Sequence, residues 1–142
     1  MILPDVNVLI YAFRQDSARH SEYRAWLQDV VDGPNAYGVS PQVLASVLRI
    51  CTHPGIFTQP STRAETMVFC EALLSRAHST VIQPGDRHWP IFTELCEAAN
   101  AAGNLVQDAW FAALAIEHGC EWISTDGDYE RFAGLRWRRP FE

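Results

Sequence analysis

The segment NLVQDAWFAALAIEHG, residues 104–119, constrains the fold more than any other stretch of this chain. It opens on an asparagine able to cap a helix, carries Gln107 three residues later and ends on Gly119, which is how helices begin and stop. Trp110, Phe111, Ala113, Leu114 and Ile116 make it apolar on nearly every side, so it belongs in the interior rather than on the surface. Asp108 falls four residues after the expected cap, in the first turn. The helix dipole there favours a negative charge. A carboxylate among such apolar neighbours is still costly to bury without a partner.

The rest of the chain alternates short strands with longer helices. A strand is expected from Met1 to near Asp5, with a helical segment directly after it. Strand patterns follow at 36–40, 79–84, 120–124 and 135–140. Helical patterns occupy 17–33, 41–55 (stopping before His53-Pro54-Gly55), 61–78 and 86–103. Ser61 or Thr62 with Glu65 makes a capping box for the 61–78 helix. Such alternation builds an α/β domain with a mainly parallel sheet in which helix outweighs strand. The length, 142 residues, suits one domain over 1–142.

Composition limits the chemistry. The chain is 48% hydrophobic and 20% charged, with 11 basic against 17 acidic residues and a net charge of −6. Every basic residue except the histidines is arginine, which excludes a Schiff-base lysine, a P-loop lysine and a lysine general base. Phosphates favour positive surfaces, so an acidic chain needs another means of meeting nucleic acid. Clustered carboxylates that load a divalent cation supply one. Cys51, Cys70, Cys96 and Cys120 are far apart without a CxxC pair, as expected of free thiols in a reducing compartment. The N-terminus lacks the basic start of a signal peptide, and no uncharged run approaches a membrane span. A cytoplasmic protein that does not engage membranes is expected. The five histidines show no metal-ligand spacing. Trp26 and Trp110 lie on apolar faces, and core positions are also expected for Trp89, Trp122 and Trp137.

Ligands of parallel α/β sheets bind beyond the carboxyl ends of the strands. Asp5 ends the first expected strand and Asp126 follows the strand at 120–124, with Asp128 close behind. Together with Asp108 they can converge on one sheet edge. Taken singly, each has an ordinary structural reading: Asp5 as a helix cap, Asp126 or Asp128 in an Asx turn, Asp108 as a helix charge. Taken together, they suit a hard cation with oxygen ligands, a few carboxylates and retained waters.

The stretches MILPDVNVLIYAFR, RICTHPGIF, GDRHW, GNLVQDAWFAALAIEHG and STDGDYERFAGLRWRRP resemble PIN-domain ribonucleases, and more narrowly VapC toxins of VapBC-type toxin–antitoxin pairs. The resemblance spans essentially the whole chain. It implies a three-layer α/β/α PIN-like fold and an endoribonuclease dependent on Mg²⁺ or Mn²⁺ that leaves 5′-phosphate and 3′-hydroxyl ends. The family's catalytic, metal-binding aspartates match Asp5, Asp108 and Asp126, with Asp128 auxiliary. Asn7 matches a polar organiser beside the first aspartate and Thr125 a hydroxyl that orients the turn. One position departs: Ser46 stands where the family commonly has a glutamate, two residues before the Leu48-Arg49 pair. It lies on a polar face with Gln42, Arg49 and His53. Its hydroxyl can hold a metal-bound water but carries no charge. Arg14, Arg49 and Arg131 are candidate RNA contacts. A homodimer is implied, neutralised by a VapB-type antitoxin whose helix fills an apolar groove walled by the 17–33 and 41–53 helices. The alternative is a non-catalytic PIN-like module that binds RNA or a partner.

Overall fold

The computed structural model describes residues 1–141. Its elements are β1 (Ile2–Pro4), α1 (Val6–Phe13), α2 (His20–Asp32), β2 (Tyr37–Val39), α3 (Pro41–Cys51), α4 (Arg63–Ser75), β3 (Ser79–Val81), α5 (His88–Ala98), α6 (Asn104–Glu117), β4 (Glu121–Ile123) and β5 (Trp137–Arg138). A 3₁₀ turn, Gly127–Arg131, lies between β4 and β5. All strand pairs are parallel, in the order β3-β2-β1-β4-β5. The alternating pattern thus folds as expected, with strands of only two or three residues.

Strand order dictates where the helices lie. The chain moves from β1 to β2 to β3 on one side of β1, then returns across it to β4 and β5. Right-handed crossovers therefore put α1–α4 on one face and α5–α6 on the other, the three-layer PIN arrangement. The reversal leaves a crevice beyond the carboxyl ends of β1 and β4, the position where parallel sheets take ligands. At that end Pro4 pairs with Ile123, so Asp5 emerges directly beside Ser124.

The core explains why α6 reads as apolar all round. Ala109, Ala112, Ala113 and Leu114 are completely buried. Phe111 stacks on fully buried Trp122 of β4, ring centroids 5.3 Å apart. The run of alanines lets the helix lie close to the sheet. On the other face Val8, Leu9 and Ile10 of α1 meet Val43, Leu44 and Val47 of α3 in the same core. Ser40 caps α3, accepting from the Val43 amide, with Pro41 in the first turn. Thr62 and Glu65 form the expected capping box of α4 through both reciprocal bonds. Gly119 closes α6 with φ of 65°, a left-handed conformation cheapest for glycine.

Three expectations change. Asn104 is not the cap of α6 but its first residue, and Gly103 precedes it without a side-chain bond. Asp108 consequently sits in the second turn, where the helix dipole acts more weakly. Trp89 is 67% exposed on the first turn of α5, because His88 occupies the inward position there and hydrogen-bonds the Trp110 carbonyl at 3.0 Å. An apolar groove lies between α2 and α4, over the end of α1, and α3 does not line it. It has a volume of about 330 Å³, with Phe13, Leu27, Val31 and Phe69 among its walls and Arg24 and Arg76 at its rim. All four cysteines are free thiols. No described helix is long and apolar enough to cross a membrane.

Candidate active site

Asp5 follows Pro4, the last residue of β1, with backbone φ −77° and ψ 165°. This extended conformation turns its carboxylate onto the first amide of α1. Its Oδ1 accepts from the Val6 N–H at 2.6 Å. Its Oδ2 accepts from the Ser124 hydroxyl at 2.6 Å and, more weakly, from Asn7 Nδ2 at 3.5 Å. The cap and site readings of Asp5 therefore coexist, one oxygen serving each.

Ser124 is the hub. Besides donating to Asp5, its oxygen accepts from Asn7 Nδ2 at 3.3 Å and from the Asp126 amide at 3.1 Å. Asn7 Oδ1 accepts from the Thr125 amide at 3.4 Å. The turn after β4 is thus tied to the residues after β1 by side chains at the crevice. Thr125 contributes its backbone N–H, whereas the orienting hydroxyl belongs to Ser124. Asp126 forms an Asx turn, its Oδ1 accepting from the Asp128 amide at 2.9 Å, and keeps its other oxygen free of that turn. Asp108 enters from α6, and the buried Tyr129 hydroxyl donates to its Oδ1 at 3.3 Å. The Tyr129 ring packs against Trp122 and Phe132, which fixes where the hydroxyl points.

Electrostatics bind the set together. Asp5 is only 6% exposed. Burial, opposed by its hydrogen bonds and reinforced by the charges of Asp108 and Asp126, pushes its carboxyl up to about 6. Asp108 is also raised, by burial first and then by Asp126 and Asp128, while the Tyr129 bond and Arg131 act against this. Burial and the nearby carboxylates Asp5 and Asp108 raise Tyr129 far above the ordinary phenol range, so it remains a donor. Asp5 thus feels the charges of Asp108 and Asp126, Asp108 those of Asp126 and Asp128, and Arg131, paired with Asp128 at 3.3 Å, offsets part of this at Asp108.

Such a volume attracts a cation. Among the described residues no three carboxylate, imidazole or thiol groups close around one point as a cage of protein ligands would. The donors present, carboxylate and hydroxyl oxygens, fit instead a hard ion held by one or two carboxylates and its own waters. Ser46 is half-buried on α3 and makes no side-chain hydrogen bond among the described residues.

The profile of the PIN-domain family matches residues 2–135. The chain is 37% identical to the ribonuclease VapC43 of Mycobacterium tuberculosis over 142 residues, covering 100% of this chain and 97% of that protein. It is 40% identical to the ribonuclease VapC25 of the same organism over 140 residues, 99% of each. This chain belongs to the PIN-domain VapC ribonuclease family. Solved structures share the VapC fold. VapBC2 from Rickettsia felis, bound to a DNA fragment from its promoter, superposes with a TM-score of 0.70 at 19% identity, covering 98% of both chains. VapC20 of M. tuberculosis, a sarcin–ricin loop cleaving toxin, does so with a TM-score of 0.65 at 16% identity, over 96% of this chain and 99% of that one.

Within this VapC fold the crevice brings together Asp5, Asn7, Asp108 and Asp126, with Asp128 at its edge. Arg14 is elsewhere. It is 7% exposed, bonded bidentately to Asp16 at 2.9 and 2.6 Å, to Ser61 at 2.8 Å and to the Gln59 carbonyl at 3.0 Å, and laid over the Phe57 ring. Those contacts use four of its five N–H donors in pinning the loop before α4, and its burial leaves it no surface for RNA, which corrects the expectation of an RNA contact. Arg49 is exposed on the last turn of α3. Sequence reasoning missed Ser124 and Tyr129. The signal for both was a polar atom inside an apolar context: a hydroxyl ending the CEWIS run, and a tyrosine in a turn that must cover the core.

Proposed function

We propose that this chain, as one PIN-like domain over residues 1–142, is a metal-dependent endoribonuclease and the toxin of a VapBC-type pair. The observation that carries this reading is the meeting of three aspartates from remote segments, Asp5, Asp108 and Asp126, at the crevice where the strand order reverses. A decayed module has no reason to retain three mutually repelling, partly buried carboxylates. The ribonuclease relatives likewise weigh against a purely binding role.

In this reading Asp5, Asp108 and Asp126 hold Mg²⁺ or Mn²⁺, directly or through water, with Asp128 auxiliary. An ion held there would supply Lewis-acid chemistry, making water more acidic and offsetting charge on the phosphate. The chain's own residues set the stage. Ser124 and Asn7 fix the Asp5 carboxylate and the turn that carries Asp126. Tyr129 fixes Asp108 and leaves its second oxygen for the ion or its waters. Trp122, Phe111 and Phe132 keep bulk water out from beneath. The products carry 5′-phosphate and 3′-hydroxyl ends. Ser46, lacking the charge of the family's glutamate, makes binding of a second ion weaker, and Ser46→Glu is expected to strengthen it.

The apolar groove between α2 and α4 suits a VapB-type antitoxin helix as partner, and solved structures sharing this fold include VapBC2 and VapBC-1. A homodimer fits the same family reading. The test is 5′-end mapping of cellular RNA after induction, beside Asp5→Asn. New ends at defined sites that vanish in the variant support the nuclease. No new ends from folded protein, with or without added Mg²⁺, refute it.

A further inference from the structure

The rim of the acidic crevice carries a cation that neither the turn nor the core consumes. β4 and β5 pair Ile123 with Arg138, just as β1 and β4 pair Pro4 with Ile123. The next row, at the carboxyl edge of the sheet, therefore reads Asp5, Ser124, Arg139. Trp137 is held in place there, its indole N–H donating to the Ser124 carbonyl at 3.1 Å. The Arg139 guanidinium lies over the Trp137 ring, 5.3 Å from its centroid. It also borders the Asp126–Gly127–Asp128 turn, where a side-chain carbon on Gly127 would meet Arg139 Nη2 at 3.6 Å. Arg131 and Arg138 are engaged with Asp128 and Glu121. Arg139 is exposed and forms no ion pair with any described carboxylate.

A strand that delivers one phosphate to four carboxylates must hold its neighbouring phosphates against the same repulsion. A fixed cation at the rim, outside the cluster but next to it, answers that need. A guanidinium is suited to it, since it forks onto phosphate oxygens while its flat face stays on an aromatic ring. The bare Gly127 leaves the approach to it open.

We propose that Arg139, laid on Trp137, binds an RNA backbone phosphate flanking the one that is cut. The inference rests on the nuclease reading above. Arg139→Ala and Arg139→Lys are placed in an Asp5→Asn background, which cannot cut. Binding of a short fluorescein-labelled single-stranded RNA of mixed sequence is followed by anisotropy across a sodium chloride series. With arginine removed, binding is expected to weaken about tenfold, and the slope of log K against log salt to flatten by about 0.7, one phosphate's worth for a single strand. Lysine keeps the slope but recovers only part of the affinity, because it lacks the fork and the stacking face. Mn²⁺ affinity, read by electron paramagnetic resonance with Asp5 intact, is expected to be the same with and without Arg139. Unchanged RNA affinity and slope in Arg139→Ala overturn the subsite and leave the nuclease reading standing. Parallel loss of Mn²⁺ binding assigns Arg139 to holding the turn and overturns the subsite too. No RNA binding by the Asp5→Asn parent and no cleavage by the wild type overturn both readings together.

Discussion

Replacing Asp5 by asparagine should make the metal-free protein relatively more stable as pH rises. The Asp5 carboxyl goes from 3.8 to about 6 on folding. Raised on folding, the group stabilises the protein while protonated, and that contribution is lost as pH rises from about 4 through 6. Relative to the protonated state, the ionised form then costs about 1.5 kcal/mol at pH 5 and about 3 kcal/mol at pH 8, since a tenfold change in proton affinity is worth about 1.4 kcal/mol. An asparagine side chain cannot ionise, so the variant escapes this cost. It also loses the hydrogen bonds of the carboxyl to the Val6 amide and Ser124 hydroxyl; their charge-dependent part already belongs to the raised proton affinity, and the remainder, a penalty of about 1–3 kcal/mol, is the same at every pH in this range. The sign of the net effect at one pH is therefore uninformative, and its slope is the test. Urea denaturation of both proteins in EDTA, from pH 5 to pH 8, should show the difference moving by about 1.5 kcal/mol in favour of Asp5→Asn. Saturating Mg²⁺ should reverse the trend, because only the wild type gains a charge partner. A difference that stays flat with pH in EDTA would refute the claim that burial and neighbouring carboxylates strain Asp5.

The other residues of the site separate by chemistry. Ser124→Ala removes the hydroxyl that donates to Asp5 and accepts from the Asp126 amide; it should destabilise by about 2 kcal/mol and abolish cleavage, and undiminished cleavage would remove Ser124 from its role as hub. Tyr129→Phe keeps the packing on Trp122 and Phe132 but not the bond to Asp108. That bond holds the Asp108 carboxyl down, so Asp108 should titrate at higher pH in the variant, measurable by carbon-13 NMR of the carboxyl, with near-normal melting temperature. Arg14→Ala leaves the Gln59 carbonyl and Ser61 without their donor and opens space beneath Phe57. It should cost about 2–4 kcal/mol and expose the 53–61 loop to limited proteolysis, while RNA affinity stays unchanged.

Much of the architecture was legible in the order of residues. Alternating short apolar runs and amphipathic helices specify a parallel α/β fold, and Thr62 with Glu65 specifies a helix start, because these depend on chemistry a few residues apart. The aspartates after the first and fourth strands and within α6 were legible as a set, since strand ends are readable and parallel sheets use one edge. The start of α6 was not, because Asn104 and Gly103 compete for the same capping position. Trp89 was misplaced because His88, one residue earlier, finds a carbonyl partner on α6 that sequence cannot show.

The sequence by itself determined the layers, the free thiols' distance from one another and the acidic residues available to hold a cation. Only tertiary structure decided which polar atoms meet. Asp5 and Ser124 are 119 positions apart and bond at 2.6 Å, while Arg14 and Arg139, alike in sequence, end one inside the fold and one on the rim of the crevice. The reason is physical. Helix and strand periodicity is local, whereas a hydrogen bond or a buried charge depends on partners that distant segments bring, and those partners exist only once the sheet has set its register.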